Sequence, residues 1–240
     1  MNLTLKPRLV VISGIPAGGK TTIAEGLAKQ ITNSVYLSRD HVAYGGLLYV
    51  NHLAATPSLL NFEEYVAKDK VFPNDAELVE TPFGKMTLIH DSARSDFYKR
   101  HAREQGHLIQ GRLAIENMKA GKVAILEGFL PRVIESGALK KFMDQPMFAS
   151  YPKYVIHVIA SDKVCLARQK VRAGKDKEAA VRAKTGYAEA ENFSELMAKE
   201  HPKTPTGLMN LPHLFLDTSA LSTEESVKRC LDYIQEEPSN

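Results

Sequence analysis

Residues 14–21 have the types and spacing of a loop that binds phosphate. They fit the pattern GxxxxGK[ST] at every fixed position; in order they are Gly14, Ile15, Pro16, Ala17, Gly18, Gly19, Lys20 and Thr21. Glycines let the backbone turn tightly with its N–H groups inward, which makes a cradle for phosphate oxygens at a helix N-terminus. We expect Lys20 to reach the β- and γ-phosphates of a nucleoside triphosphate and Thr21 to ligate Mg²⁺. Thr22 would add a hydroxyl near the α-phosphate.

A second candidate is the acid that ends an apolar run. Residues 123–126 are all apolar and are followed by Glu127, a pattern similar to a Walker B strand. The carboxylate of Glu127 would approach Mg²⁺ through water or align a substrate group. A carboxylate that merely ends a strand is the alternative interpretation. The sequence lacks the guanine-reading pattern NKxD, which argues against a GTPase.

Charged residues follow another predicted strand, residues 34–38. Ligands of open α/β sheets bind beyond the carboxyl ends of the strands, so Arg39 and Asp40 are candidates for an acceptor site. Asp40 would accept the proton of an attacking hydroxyl or orient it, and Arg39 would hold an anionic group. A helix cap for Asp40 and a surface charge for Arg39 are the alternatives. Arg132 is either an acceptor contact or a surface charge at a helix start.

Two arginines share one face of a predicted helix. Arg168 and Arg172 lie at helical spacing from Cys165. Such a pair can neutralise charge on a transferring phosphoryl group or stack on adenine, and a solvated basic face is the alternative. The opposite face is expected to pack on the core because it is apolar, with Val164, Ala167 and Val171.

Apolar runs alternate with helical patterns, which predicts an α/β fold with a parallel sheet that positions these candidates. Five strands are predicted, at 8–13, 34–38, 122–127, 154–159 and 213–216. Helices are predicted at 20–31, at 91–120 with interruptions at Gly106 and Gly111 and a stop at Gly121, at 162–173, and at 223–235. In the first helix one buried stripe is expected, formed by Ile23, Leu27 and Ile31.

Two long segments interrupt this order of strands and helices. Residues 41–90 contain a possible hairpin, with strands at 77–81 and 85–90 joined by residues 82–84. Residues 174–210 are charged and carry Pro202 and Pro205. Long insertions in a compact domain are usually lids, binding loops or disordered segments. We therefore expect a single domain over 1–240, with an acceptor-side insertion at 41–90 and a lid-like segment at 174–210.

Composition limits the classes of protein that fit. The chain has 240 residues, of which 44% are apolar and 25% charged, with a net charge of +3; these values are typical of a soluble globular domain. The charge is too small to argue for nucleic acid as a partner, without excluding it. Cys165 and Cys230 lack metal-site spacing and are expected to be reduced, buried thiols of a cytoplasmic protein. No signal segment or membrane span is predicted.

The motifs together resemble those of the small P-loop kinases related to nucleoside and nucleotide kinases, above all the zeta-toxin-like branch. The resemblance extends from about residue 8 to 235 outside the two insertions and rests on residues 13–22, 37–40, 123–128, 164–172 and 216–219. It implies a five-stranded parallel sheet in which the strand of Glu127 lies beside the strand before the phosphate loop. It also implies that Asp40 contacts the acceptor hydroxyl and that Arg168 and Arg172 close over ATP. Glu127 stands where that group more often has aspartate.

The leading hypothesis is an enzyme that uses ATP and Mg²⁺ to phosphorylate a hydroxyl of a small molecule. Its catalytic residues would be Lys20, Asp40, Arg168 and Arg172. Residues 14–22 would bind ATP, Thr21 and Glu127 would hold the metal, and the acceptor would contact Arg39, Asp40, Glu127 and Arg132. A nucleotide sugar, a nucleoside, an antibiotic and a polynucleotide 5′-hydroxyl all stay open as acceptors. A regulator that binds ATP without transferring phosphate is the alternative from another class. The sequence makes no prediction of oligomeric state.

Overall fold

The computed structural model describes residues 3–42, 76–81, 84–89, 103–175, 194, 197–198 and 201–236. The chain divides into two compact units. The first comprises Met1–Tyr36 together with Ala114–Asn240, and the second comprises Leu37–Leu113. The phosphate loop belongs to the first unit, and the charged pair after the second predicted strand belongs to the second.

The described strands form one large sheet and one hairpin. They are β1 (Leu9–Gly14), β2 (Ser34–Ser38), β3 (Ala76–Thr81), β4 (Gly84–Ile89), β5 (Val123–Phe129), β6 (Lys153–Ile159) and β7 (His213–Asp217). The large sheet has five strands in the order β2-β5-β1-β6-β7. Its pairs β1–β5, β1–β6 and β6–β7 are parallel. The predicted α/β fold with a five-stranded parallel sheet is therefore confirmed.

Strands β1 and β5, in the interior of the sheet, are covered on both faces. Every residue of β1 and of β5 is buried, as their near-continuous apolar runs predict for a sheet between two layers of helices. The five strands lie where the sequence predicts them, with ends that differ by at most two residues. Strand β5 lies directly beside β1, which is the neighbour that the resemblance implies.

Helices follow the strands in the α/β pattern. Among the described residues, those of at least four residues are α1 (Lys20–Gln30), α2 (Arg39–Val42), α3 (Arg103–Lys119), α4 (Pro131–Glu135), α5 (Ala138–Met143), α6 (Asp162–Lys175) and α7 (Thr223–Gln235). Short 3₁₀ helices lie at Pro146–Phe148 and Thr206–Asn210. The sequence predicts the long helices but not α2, α4 and α5, which are too short for a periodic pattern to identify them.

One hydrophobic core of the first unit lies between the sheet and helices α1 and α7. The predicted stripe on α1 is confirmed, since Ile23, Leu27 and Ile31 are at most 2% exposed. They pack with apolar side chains of the central strands and of α7, among them Val10, Ile12, Ile125, Val227, Cys230 and Ile234. Helix α7 begins with a capping box, in which the side chains of Ser222 and Glu225 each accept a hydrogen bond from the other's backbone N–H.

Helix α3 is continuous, so the predicted interruptions at Gly106 and Gly111 are wrong. A glycine inside a helix costs about 1 kcal/mol relative to alanine. Both glycines are buried, and the packing of a helix face commonly outweighs such a cost. The predicted stop is confirmed, because Gly121 and Lys122 donate backbone hydrogen bonds to the last turn in a Schellman arrangement. Residues 91–102 of the predicted helix lie outside the described residues.

The predicted hairpin in the second unit is confirmed. Strands β3 and β4 are antiparallel, with Ala76 opposite Ile89 and Thr81 opposite Gly84. Gly84 therefore begins β4 and is not part of the connection, which comprises residues 82–83. The rest of the predicted insertion, and most of the charged segment at 174–210, lie outside the described residues.

Both cysteines are free and buried, as predicted. Burial raises the pKa of Cys230 to about 12 and also raises the pKa of Cys165. Among the residues that the structure describes, none of the helices has the length and apolar character of a membrane span. The same residues contain no group of three or more histidine, cysteine, aspartate or glutamate side chains arranged for a metal ion.

Candidate functional site

The loop between β1 and α1 is built by close backbone packing. Gly14 ends β1 with a φ of +142°, and a Cβ placed there would lie 1.9 Å from the carbonyl oxygen of Val158 in β6. A Cβ on Gly18 would lie 3.1 Å from the same oxygen. Glycine at these positions therefore lets the loop lie directly on the neighbouring strand.

The tip of the loop adopts left-handed backbone conformations. Ala17 has a φ of +59° and Gly19 a φ of +107°. Between them, the N–H of Gly18 donates to the carbonyl of Ile15 at 3.2 Å, and helix α1 follows at Lys20. Left-handed residues in a turn let successive amides point to one side, which is the arrangement that binds anions. Ala17 is strained for a residue with a Cβ, so contacts around it must hold the conformation.

The ammonium group of Lys20 lies inside this loop. Its Nζ donates to the carbonyl oxygens of Gly14 at 3.1 Å and of Ile15 at 2.8 Å, and the residue is 9% exposed. Thr21 and Thr22 follow in the first turn of α1, the former half-buried and the latter exposed. The lysine predicted to bind phosphate is therefore already directed into the loop.

Glu127 lies on the strand next to the loop. It is opposite Ile12 of β1 and is 6% exposed. The hydroxyl of Tyr36 lies 3.4 Å from its Oε2. One step further, the register of the pair shifts, so that Ser13 is opposite Phe129 and donates a side-chain hydrogen bond to its carbonyl at 2.9 Å. A bulge at this point re-aims the strand end that carries the carboxylate.

Arg168 contacts the outer side of the loop rather than solvent. Its Nη1 donates to the carbonyl oxygens of Ala17 at 3.2 Å and Gly18 at 3.1 Å, and to the hydroxyl of Thr218 at 3.0 Å. Its Nη2 donates to the carbonyl of Thr218 at 3.2 Å. The side chain of Arg172, one helical turn further, lies outside the described residues.

The predicted core face of α6 is confirmed for Val164, which packs against a buried cluster, and is wrong for Ala167 and Val171. Cys165 is fully buried against Ile15 and Met197, whereas Ala167 is exposed and Val171 is 58% exposed. Ala167 and Val171 line a groove beside the phosphate loop and are not part of the core.

The groove lies beside the phosphate loop and has a volume of about 410 Å³. This is within the range of small-molecule sites, which are concave and mostly apolar with a few polar groups. The loop and α1 supply one wall, with Ala17, Gly19, Thr22 and Ile23. Helix α6 supplies the second, with Ala167, Arg168 and Val171. The end of β7 and the start of α7 supply the third, with Thr218, Leu221, Ser222, Thr223 and Ser226.

The predicted acceptor residues are distributed over both units. Arg39 and Asp40 open α2 in the second unit, directly after β2. Arg39 is 8% exposed, and the side chain of Asp40 lies outside the described residues. In the same unit, Gln110 of α3 is fully buried and donates to the carbonyl of Leu37 at 2.7 Å. Arg132 is an exposed residue of α4 in the first unit.

Three contributors to the region around the loop are not predicted from the sequence: Tyr36, His157 and Thr218. A signal exists for Thr218, which directly follows β7, because residues after parallel strands converge at one edge of a sheet. His157 lies in β6 opposite Ser13 and is fully buried. Burial lowers its pKa to about 4, and the positive charge of Lys20 acts in the same direction. The ring is therefore neutral at physiological pH.

Comparison with known proteins identifies the fold. No protein-family model matches the chain, and no curated protein sequence matches it. Among solved structures, it is similar to a proposed kinase from Chloroflexus aurantiacus, with a TM-score of 0.52, 16% identity and coverage of 95% of this chain and 98% of that one. It is also similar to the tunicamycin resistance protein of Deinococcus radiodurans, with a TM-score of 0.50, 13% identity and coverage of 95% and 96%. At these identities the likeness concerns the fold.

The fold and the loop together define the structural class. The chain is an α/β protein with a five-stranded parallel sheet flanked by helices. A glycine-rich loop of the P-loop pattern joins its central strand to its first helix. The chain therefore has a P-loop fold, in which ligands bind at the carboxyl ends of the strands.

Proposed function

We propose that the chain is an ATP-dependent phosphotransferase, which moves the γ-phosphate of ATP to a hydroxyl of a small-molecule acceptor. One observation carries the proposal: a tightly turned loop holds a lysine ammonium group within it and borders a groove of suitable volume. ATP joins a phosphate chain to a heterocyclic base, and the loop and the adjoining groove offer one subsite for each. Phosphoryl transfer requires mainly positioning and charge stabilisation.

On the donor side, each part of ATP has a proposed partner. The amides of residues 18–22 and the ammonium of Lys20 hold the β- and γ-phosphates. The base enters the groove, where Val171 and Leu221 supply apolar contact. Thr22 follows the loop in α1 and also lines the groove. Its hydroxyl would therefore contact the α-phosphate or the ribose, the parts of ATP that join the phosphate chain to the base.

The residues available near the loop suit Mg²⁺. Thr21 offers a hydroxyl and Glu127 a carboxylate, and Mg²⁺ prefers such oxygen ligands. Glu127 is buried, and the ionised form of a buried carboxylate is favoured when a cation lies close to it. When bound, Mg²⁺ would neutralise charge on the phosphates. The contribution of the chain is to hold the two oxygen donors at the start of α1 and the end of β5.

On the acceptor side, the assignment rests on the sequence. Asp40 is proposed to accept the proton of the attacking hydroxyl or to orient it, and Arg39 to hold an anionic part of the acceptor. Arg132 is proposed as a further acceptor contact because it follows the strand of Glu127. Arg172, together with Arg168, is proposed to lie at the nucleotide, because α6 forms a wall of the groove.

Transfer of radioactive phosphate from γ-labelled ATP to a set of acceptors tests the proposal. The set should contain nucleosides, nucleotide sugars, a nucleoside antibiotic such as tunicamycin, and an oligonucleotide with a 5′-hydroxyl. Labelling of one class, lost with Lys20→Ala and nearly lost with Asp40→Asn, is the expected result. Lys170→Ala, an exposed charge change on α6, is the matched control and should retain transfer. Full activity of Asp40→Asn would contradict its assignment.

The labelled acceptor also decides between finer forms of the proposal. Labelling of a nucleotide sugar supports the zeta-toxin-like form, and the active chain should then inhibit growth of a host while Lys20→Ala does not. Labelling of the oligonucleotide supports a polynucleotide kinase, whose affinity should fall steeply with salt. ATP binding without labelling of any acceptor would support a non-catalytic regulator instead.

A further inference from the structure

Two side chains outside the sequence motif hold the phosphate loop from its outer side. The hydroxyl of Thr218 lies 2.7 Å from the carbonyl oxygen of Gly18, and Nη1 of Arg168 lies 3.1 Å from the same oxygen. Nη1 of Arg168 also lies 3.0 Å from the Thr218 hydroxyl. The arginine therefore donates to the threonine hydroxyl, which can donate in turn to the loop carbonyl. Hydrogen bonds in such a chain strengthen one another.

These contacts determine the direction of a peptide group. The C=O of Gly18 and the N–H of Gly19 belong to one planar trans peptide, so they point in opposite directions. When the carbonyl is held toward Thr218 and Arg168, the N–H of Gly19 points to the other side, into the loop. This N–H is one of the amides that the P-loop pattern uses for phosphate.

The preceding peptide, between Ala17 and Gly18, has the same arrangement, and here both its C=O and its N–H make hydrogen bonds. The carbonyl of Ala17 accepts a hydrogen bond from Arg168 at 3.2 Å, and the N–H on the same peptide, that of Gly18, donates inward to Ile15 at 3.2 Å. Ala17 has a φ of +59°, a left-handed conformation that is unfavourable for a residue with a Cβ. Such a conformation persists only when its surroundings hold it, and Arg168 supplies contacts on the outer side.

Thr218 is itself fixed firmly enough to act as a support. It is 5% exposed, its N–H donates to the carbonyl of Ile159 at 2.9 Å, and its own carbonyl accepts from Nη2 of Arg168 at 3.2 Å. Its position is therefore set by the ends of β6 and β7. The loop, the sheet edge and α6 meet at this one hydroxyl.

We propose that Arg168 and Thr218 form a positioning pair, which orients the Gly18–Gly19 peptide so that the Gly19 amide is directed at the bound phosphate chain. The inference rests on the proposed function only in requiring that the loop binds a phosphate chain. It gives Arg168 a role on the loop itself, in addition to the contact with the nucleotide that the sequence suggests. It also predicts that a neutral threonine matters as much as the arginine.

Binding of two probes to the full-length chain tests the proposal: Mg²⁺·ATP, and Mg²⁺·tripolyphosphate, which has no base. Thr218→Val removes the hydroxyl without changing shape or charge, and Arg168→Met removes the guanidinium. Each should weaken both probes by a similar factor of about 10, the effect of losing one or two hydrogen bonds to the loop. Thr218→Ser should restore binding to within about 3-fold. The double variant should be no weaker than the worse single variant, because the pair acts as one unit.

Thr218→Val is the decisive variant, since it leaves the charge of the site unchanged. Lys170→Met serves as the matched control for loss of a positive charge on α6 and should leave both affinities unchanged. Unfolding by urea should show that Thr218→Val stays folded under the conditions of the binding measurement. If it does not, Thr218→Ser and Arg168→Lys take its place, with the serine expected to bind and the lysine, which lacks the planar fork, expected to bind weakly.

The outcomes separate this inference from the proposed function. Loss of ATP binding with unchanged tripolyphosphate binding would overturn the positioning role, because Arg168 would then serve the base alone. Unchanged binding of both probes in Thr218→Val, or factors that multiply in the double variant, would also overturn it. If the wild-type chain binds neither probe, the proposed function itself fails.

Discussion

The phosphate loop and helix α6 border the same groove but are held in place by different kinds of contact. The loop is fixed by its backbone, which lies on Val158 and passes through left-handed conformations at Ala17 and Gly19. Helix α6 is regular and uses its side chains, with Cys165 in the core and Val171 in the groove. Because the loop backbone lies directly on the neighbouring strand, an added methyl group at one of its glycines should disrupt it. For α6, a substitution on the groove face should weaken binding, whereas a substitution on the buried face should lower stability.

The largest expected effect is on the loop. Gly14→Ala places a Cβ 1.9 Å from a backbone oxygen at a φ of +142°, where neither partner can move away easily. We expect unfolding free energy to fall by at least about 3 kcal/mol, with loss of ATP binding in whatever fraction stays folded. Urea denaturation and ATP titration measure both.

Gly137→Ala is the control for this substitution. Gly137 also has a positive φ, +71°, but nothing lies within 4 Å of the added Cβ. Its expected cost is only the left-handed conformation, about 1–2 kcal/mol, without an effect on ATP. Equal costs at the two glycines would show that close packing on β6 does not determine the loop.

A second prediction concerns the strand that supports the loop. The pKa of His157 is lowered from 6.5 to about 4 by burial, so between these pH values the unfolded chain binds a proton that the folded chain does not. Stability should therefore be unaffected by this group above pH 6.5 and should fall as the pH decreases toward 4, by up to about 3 kcal/mol. Urea denaturation at a series of pH values measures the slope.

His157→Gln removes the titrating group and should flatten this part of the stability curve. The comparable change on the neighbouring strand is His213→Gln, at a half-buried histidine, which should leave most of the slope in place. A wild-type slope that persists in His157→Gln would mean that other groups cause the acid sensitivity.

On α6, the buried face should respond in stability. Cys165 is fully buried with apolar neighbours Ile15 and Met197. Cys165→Asn should therefore lower the unfolding free energy by about 2 kcal/mol, because these apolar neighbours offer the buried amide no side-chain hydrogen bonds. Thermal or urea denaturation is the measurement. Unchanged stability would contradict the assignment of this face to the core.

The opposite face of α6 should respond in binding, with the smallest effect of the series. Val171 is 58% exposed and lines the groove, so Val171→Asn should leave stability within about 0.5 kcal/mol. It should weaken ATP by about 5-fold through lost apolar contact and leave tripolyphosphate unchanged. Equal weakening of the two probes would indicate that the base lies elsewhere.

Local patterns predicted the elements that depend on neighbouring residues in sequence. The strand–loop–helix unit around Gly14 and Lys20, the stripe on α1, and the stop of α3 at Gly121 follow from spacing, glycine conformation and helix termination. The interruptions predicted in α3 failed because burial of Gly106 and Gly111 is a tertiary property. Propensity is a weak prior that packing overrides.

In the candidate site, too, some residues follow from local patterns and others only from the tertiary structure. Its loop, Glu127 and Arg168 could be named from the sequence because each belongs to a short motif. The hydroxyl of Thr218, by contrast, approaches Gly18 across 200 positions of the chain. No periodicity or motif records a contact between residues that far apart.

The sequence alone determined the α/β class, the phosphate loop and its lysine, because these depend on residues within a few positions of one another. Only the tertiary structure decided which face of α6 is core and which is groove, since both faces carry apolar residues and the difference lies in what covers them. It also decided that Arg168 reaches back to the loop carbonyls, a contact that exists only after the sheet has brought α6, β7 and the loop to one edge.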